Sequence, residues 1–420
     1  MAAGAVLALC ALGVAPGTAV AAESDHQFQP DVPARDVSGD FEFEFHGTDV
    51  LPWATGERQG LIGDHKGEMA QALDGFIRSA KRSLKLAAYG VQQQSWVFAS
   101  IRELVKREVA VGAVVDQAAG QIGQWQAANF TYPQTIRLPK AVGDGTVVPD
   151  QSAAGNVRST IMHNKFVVVD RAAVWMGSAN LSSTCMGDEY NANTALLVRS
   201  PALARIYADE YDQMHDARRF STGKLPRPDR SPLRYEDGTE VRVYFSPQDT
   251  TLTSAILPFL AKATKTLDIG MFYLTDKGVA DAIVAARARG VKIRVIYDAV
   301  AGAHPASLHN YLRKHGIELR VENWGGKMHM KDAVADGRHV IMGSMNWSGS
   351  GDGDNDENTL VVRNNTRLAK EVKAYFDRLW DSLPEDGKDP RAESLESINA
   401  CFDGVDNDHD GLTDEDDSGC

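Results

Sequence analysis

The 420-residue chain has only four cysteines, too few for disulfides to stand in for a hydrophobic core. It lacks an excess of positive charge: 44 Lys and Arg face 57 Asp and Glu, a formal net charge of −13. Eight of the acids, with no Lys or Arg among them, fall in the last 20 residues. The body is therefore only mildly acidic, which argues against the broad basic footprint of non-specific nucleic-acid binding, although not against a local basic cleft. Apart from its N-terminus, the chain has no apolar run long enough to span a bilayer.

The N-terminal run, Ala2 to Ala15, is itself too short to span one. Pro16-Gly17 and Ala19-Val20-Ala21, a small-x-small cleavage pattern, follow it. Residues 1–22 read as a secretory signal peptide, although no Lys or Arg precedes Arg35. The expected location is secreted, periplasmic or extracellular. Cys401 and Cys420 bracket the acidic tail and can close a disulfide in an oxidising compartment. Cys185 is left as a partly buried thiol.

What the chain does have is ordinary globular composition, 43% hydrophobic and 24% charged, and a length that predicts two lobes. The halves repeat. His163, Lys165 and Asp170 form an H-x-K-x4-D; His329, Lys331 and Asp336 form a second, offset by 166. Each His is followed 14 positions later by the Gly of a G-S-x-N, Gly177 to Asn180 and Gly343 to Asn346. A lone H-x-K carries almost no weight, but two copies with the same partner at the same distance do. They predict two half-sites with one shared active site. Helical patterns alternate with β-rich runs in both halves, which predicts an α/β fold: two similar lobes, each a mixed sheet flanked by helices, with the site at their interface. The expected boundaries are 40–217 for the first lobe, 218–240 for a Pro-containing linker and 241–385 for the second lobe. One chain supplies both half-sites, so a monomer is expected.

Alternate residues of a strand share a face, so His163 pairs with Lys165 and His329 with Lys331, while Asp170 and Asp336 have the other parity. Asp336-Gly337 reads as a two-residue hairpin turn. In that register Ser344 and Asn346 join the His329 face, and Ser178 and Asn180 the His163 face. Such a set suits a phosphodiester. Two Lys and two Asn can neutralise the non-bridging oxygens as charge builds. One neutral His can attack phosphorus, and a second, protonated, can give its proton to the leaving oxygen.

These paired motifs resemble those of the phospholipase D superfamily, over roughly Phe41 to Trp380. The resemblance implies a metal-independent ping-pong phosphodiesterase with a covalent phosphohistidine. It makes His163 the nucleophile and His329 the general acid and then base. Lys165, Lys331, Asn180 and Asn346 become phosphate binders with Ser178 and Ser344 beside them, and Asp170 and Asp336 are more structural. Members often carry a Glu after G-S-x-N that orients the catalytic His. Glu357 fits in the second half. Matching Asn193-Thr194 to Asn358-Thr359 puts Ala192 in its place in the first half, leaving Glu189 or Asp188 for the role. Asp332 stands where the first copy has Phe166, and pairing with a cation is the expectation. Tyr89 and Tyr273 read as core strand positions.

The tail Asp406-x-Asp408-x-Asp410-Gly411, then Asp414 and Asp417, has acids at positions 1, 3, 5, 9 and 12 of a calcium loop and Gly at 6. It resembles EF-hand-like loops of thrombospondin type 3 repeats and predicts a Ca2+-holding tail over 401–420 with no part in catalysis. The leader and the acidic charge favour a secreted enzyme acting on phospholipid headgroups, with peripheral membrane contact. The alternatives are a nuclease of the same superfamily, favoured by the GKMH, GSMNWS and NDEN runs of the second half, and a non-catalytic calcium-dependent surface binder, which the two complete motifs oppose.

Overall fold

The computed structural model describes residues 33–48, 50, 66–120, 132–143, 146–150, 160–187, 190–302, 304–322, 324 and 326–383. The expected signal peptide, Asp188, Glu189, and the tail with Asp406, Asp408, Asp410, Asp414 and Asp417 lie outside them.

Two mixed sheets carry the chain, and seven strands of each run in the same order. The first sheet runs Phe43–Gly47, Thr194–Val198, Ala173–Gly177, Phe166–Val169, Ser83–Ala88, Ala110–Val115 and Val147–Pro149. The second runs Glu240–Ser246, Glu357–Arg363, His339–Gly343, Lys331–Ala335, Thr266–Met271, Lys292–Tyr297 and Glu318–Val321, and adds Leu233–Arg234 and Arg35–Asp36 beyond Glu240–Ser246. In both, the last three strands are parallel, and the strand after the motif His runs antiparallel to its neighbours.

Helices cover both faces of each sheet. In the first lobe Glu68–Arg78 and Ser95–Lys106 bury apolar stripes that include Leu73, Ile77, Val97 and Ile101 in an outer core. In the second, Lys277–Ala288 does the same with Val279 and Ile283. Pro201–His215 and Thr366–Ser382 close the two repeats. Each starts at a side-chain cap: Ser200 accepts from the Leu203 N–H and Asn365 from the Leu368 N–H.

The motif strands are buried on both faces, which hides the alternation a half-exposed strand would show. Val167, Val169 and Trp175 face the outer core. Val168, Val174, Met176, Leu196 and Val198 instead share a core with Val334, Val340, Met342, Leu360 and Val362 of the other lobe. An apolar interface of this kind fixes the two half-sites against one another.

The hairpin turn differs from the expected one. Ala335 pairs with His339 and Val169 with Ala173, so each turn has three residues rather than two. Asp336 and Gly337 take φ +56° and +59°, and Asp170 and Arg171 +55° and +53°. The extra residue reverses the facing of the returning strand, so Ser344 and Ser178 do not lie on the Lys faces as expected.

Candidate active site

Each motif places its His just before a strand, and its Asp just after, at the other end. The Asp170 carboxylate accepts the N–H groups of Lys81, Arg82 and Ser83 at 3.0, 2.7 and 2.8 Å. That of Asp336 accepts those of Thr264, Lys265 and Thr266 at 3.1, 2.7 and 3.0 Å. Partial burial pushes both carboxyls up, but the backbone donors outweigh it and hold them below the usual range. Asp170 and Asp336 therefore pin the start of the neighbouring strand. This is the more structural part that the resemblance implied for Asp170 and Asp336, which stood beside the histidines and lysines in the motif.

His163 and His329 are brought together with Lys165 and Lys331, all four buried. The lobes hold one another's histidines. The Glu357 carboxylate of the second lobe lies 2.8 Å from His163 Nδ1, and Asn193 Oδ1 of the first lies 2.9 Å from His329 Nδ1. The main chains interlock in the same crossed way. His163 N–H donates to the Asp356 carbonyl at 2.9 Å, and His329 N–H to the Ala192 carbonyl at 3.0 Å. The counterpart of Glu357 is thus Asn193 and not Ala192; the expected match was off by one residue. The loop after G-S-x-N is two residues longer in the first half, so the offset falls there from 166 to 164.

Ser178 and Ser344 support these orienting groups. The Ser344 hydroxyl donates to Glu357 Oε2 at 2.6 Å, and the Ser178 hydroxyl to Asn193 Oδ1 at 3.1 Å. Their expected place beside the phosphate gives way to this one. Gly177 and Gly343 are needed for close approach: a Cβ on either would stand 2.2 Å from the carbonyl oxygen of Thr194 or Asn358. Asn180 and Asn346 each keep a buried amide oxygen with no protein hydrogen-bond partner. Lys165 Nζ and Lys331 Nζ each donate to the carbonyl of their own motif His, at 2.7 Å.

Three features were not read from the sequence. Asp116 and Asp298 accept the N–H groups of Met162 and Met328, one residue before each His, at 3.0 and 2.9 Å. Tyr89, taken for a core residue, packs edge-on to His163 with ring centroids 5.5 Å apart. Its counterpart is Phe272, not Tyr273, and lies 5.1 Å from the His329 ring. Main-chain pairing, Ala110 N to Arg82 O and Lys292 N to Lys265 O, sets that equivalence, and no local sequence signal does. Asp332 is buried and accepts from the Thr194 hydroxyl across the lobe interface, so its hydrogen-bond partner is not the expected cation. Burial pushes its carboxyl up to about 7.

The site is built for an anion. Burial depresses the Lys331 ammonium to about 7, and Lys165 beside it adds to the effect. Lys165 falls to about 8, chiefly by burial. Burial also holds His163 down at about 4 against the opposing pull of Glu357, and burial with both lysines holds His329 well below its ordinary value. Two ammonium groups and two imidazoles crowd one buried volume, and an entering phosphodiester anion would relieve that crowding.

The family model described as "Cardiolipin synthase, PLD-like domain" matches residues 73–215 and 256–380. A mitochondrial cardiolipin hydrolase of Chlamydomonas reinhardtii is 34% identical over 131 residues, covering 31% of this chain and 58% of that protein. The Homo sapiens mitochondrial cardiolipin hydrolase is 31% identical over 137 residues, 33% of this chain and 54% of that protein. In both cases the chain matches little more than half of the relative's length. A phosphatidylserine synthase structure from Haemophilus influenzae superposes with a TM-score of 0.58 at 15% identity, over 82% of this chain and 88% of that one. That likeness shows the two-lobed fold.

Proposed function

We propose a function on the premise that the chain belongs to the phospholipase D-like family, whose model matches both of its lobes. The chain is a phosphodiesterase that hydrolyses the headgroup phosphodiester of phospholipids through a phosphohistidine. One observation carries this reading: two buried histidines, each held at Nδ1 by the opposite lobe, beside two buried lysines.

The asymmetry of the holding groups supports a division of roles between the two histidines. With its Nδ1–H donated to Glu357, neutral His163 presents an Nε2 lone pair. The Nε2–P bond forms as the P–O bond to the leaving group breaks, and the adjacent carboxylate stabilises the positive ring that results. His329, protonated once the bound phosphodiester anion offsets the two ammonium charges, gives its Nε2 proton to the leaving oxygen. It then takes a proton from water, whose oxygen attacks phosphorus and releases His163. Lys165 and Lys331 neutralise the non-bridging oxygens, and the side-chain N–H groups of Asn180 and Asn346 can donate to the same oxygens.

The acidic charge and the names of the similar hydrolases support phospholipid over nucleic acid. The leader-like N-terminus supports export, and the Asp406 to Asp417 pattern supports calcium binding by the tail. The test incubates mixed phospholipid vesicles, single-stranded DNA and duplex DNA with the wild type and with a His163→Ala/His329→Ala variant, all with chelator. Headgroup release by the wild type alone is expected. Cleavage of DNA with intact lipid would move the substrate to nucleic acid.

A further inference from the structure

The two half-sites differ in what lies behind the orienting residue. Behind Asn193 stands Ala192, a buried methyl in an apolar cluster with Trp324, Met328 and Tyr375. Behind Glu357 stands Asp356, whose side chain is 2% exposed and charged. Its carboxylate is held by Lys224, at 2.8 Å, from the segment that joins the lobes. The Lys224 side chain is fully buried. It also donates to Glu210 Oε1 of helix Pro201–His215 at 2.7 Å and to the Ser246 carbonyl at the end of a second-lobe strand at 2.7 Å. An ammonium has three donors, and these three acceptors use all of them. They come from both lobes. The neighbouring Ser221 donates its N–H to Asp356 Oδ1 at 2.8 Å and its hydroxyl to the Asp354 carbonyl at 2.5 Å.

Asp356 is placed to pass this constraint on. Its carbonyl accepts the His163 N–H and its N–H donates to the Ile161 carbonyl, both at 2.9 Å, while the next residue holds the His163 ring. We infer that Lys224 is a positioning residue for His163. Through Asp356 it fixes both the main chain and the ring partner of one histidine, with no equivalent buried ion pair behind Asn193 among the described residues. The segment between the lobes is then a part of the active site's support. The inference rests on the proposed role of His163 as nucleophile.

Removing the ammonium alone leaves two buried carboxylates unpaired and can cost folding. The test therefore pairs Lys224→Met with the triple variant Glu210→Gln/Lys224→Met/Asp356→Asn, which carries no charge at these three positions. Quenched-flow bursts are read with bis-p-nitrophenyl phosphate, and the labelled residue is mapped by mass spectrometry. Burst amplitude counts folded sites, and burst rate reports attack by His163. The expected result is a burst rate lower by about 10- to 100-fold at retained amplitude in whichever of the two variants folds. A retained amplitude with an unchanged rate, the phosphoryl group still on His163, would overturn this inference alone. A phosphoryl group found on His329 would overturn the reading beneath it as well.

Discussion

Replacing Glu357 by Gln tests the crossed orientation of the site with almost no change of shape. The carboxylate faces three donors: His163 Nδ1 at 2.8 Å, Ser344 Oγ at 2.6 Å and Asn355 Nδ2 at 3.3 Å. A carboxylate can accept from all of them, whereas a carboxamide brings two N–H groups of its own. If the amide nitrogen turns to His163, Nδ1 must become an acceptor and the proton moves to Nε2, which removes the attacking lone pair. At the Oε1 position it meets the Asn355 Nδ2 donor in a buried place, and at the Oε2 position the Ser344 hydroxyl loses its acceptor and must turn away. In the better of these arrangements the charge-assisted bond to the imidazolium-like phosphohistidine is still lost. Such a bond is worth about 1.5–3 kcal/mol, or roughly 10- to 150-fold in rate, and the wrong tautomer would lower the rate further. Quenched-flow bursts with bis-p-nitrophenyl phosphate measure the step directly, and urea unfolding shows whether stability has changed. A burst rate within threefold of wild type, in a folded variant, would refute the claim that Glu357 orients the nucleophile.

Three other outcomes follow from the same geometry. Asn193→Asp gives His329 a carboxylate partner and raises its proton affinity, so the alkaline limb of kcat/KM should move up by about one unit or more; a limb that stays in place removes His329 as the acid. Asp332 has its folded-state pKa raised from 3.8 to about 7, so the protonated carboxyl contributes stability at low pH that fades as pH rises through about 7. The wild type should lose stability on the order of 4 kcal/mol at most between pH 4 and pH 8 from this group, and Asp332→Asn should lose none of it; equal urea midpoint shifts in the two proteins would contradict the assignment. Asp170→Asn should lower stability by about 1–3 kcal/mol through its three backbone donors with kcat within a few-fold of wild type, and a kcat loss at unchanged stability would return Asp170 to the chemistry.

The chemistry of the site was legible in the sequence because it is local. H-x-K-x4-D and G-S-x-N each sit within one hairpin, so residue type and spacing survive without knowledge of the fold. The α/β class followed for the same reason, from helix and strand periodicities of single segments. Contacts between lobes left no such trace. Glu357 was legible as an orienting acid, but the histidine it serves lies 194 positions away, and Asn193 was hidden by a two-residue change in loop length. The turns misled because Asp336-Gly337 signals a two-residue loop, a reading carried over to Asp170-Arg171, while the left-handed Asp of each begins a three-residue one. One residue of register then reversed the facing of Ser178 and Ser344. Lys224 sits in a polar, proline-containing stretch whose composition reads as a linker. Its burial appears only when Glu210 and Asp356 meet it from separate lobes.

The account stands on a nucleophile in one lobe held by an acid of the other. The most direct measurement mixes His329→Ala with bis-p-nitrophenyl phosphate, quenches under alkaline conditions that preserve phosphoramidates, and maps the modified residue by mass spectrometry. The account predicts a phosphoryl adduct on His163 in this variant and none in His163→Ala or Glu357→Gln on the same timescale. An adduct on His329 in His163→Ala, or turnover in the His163→Ala/His329→Ala variant, would contradict it.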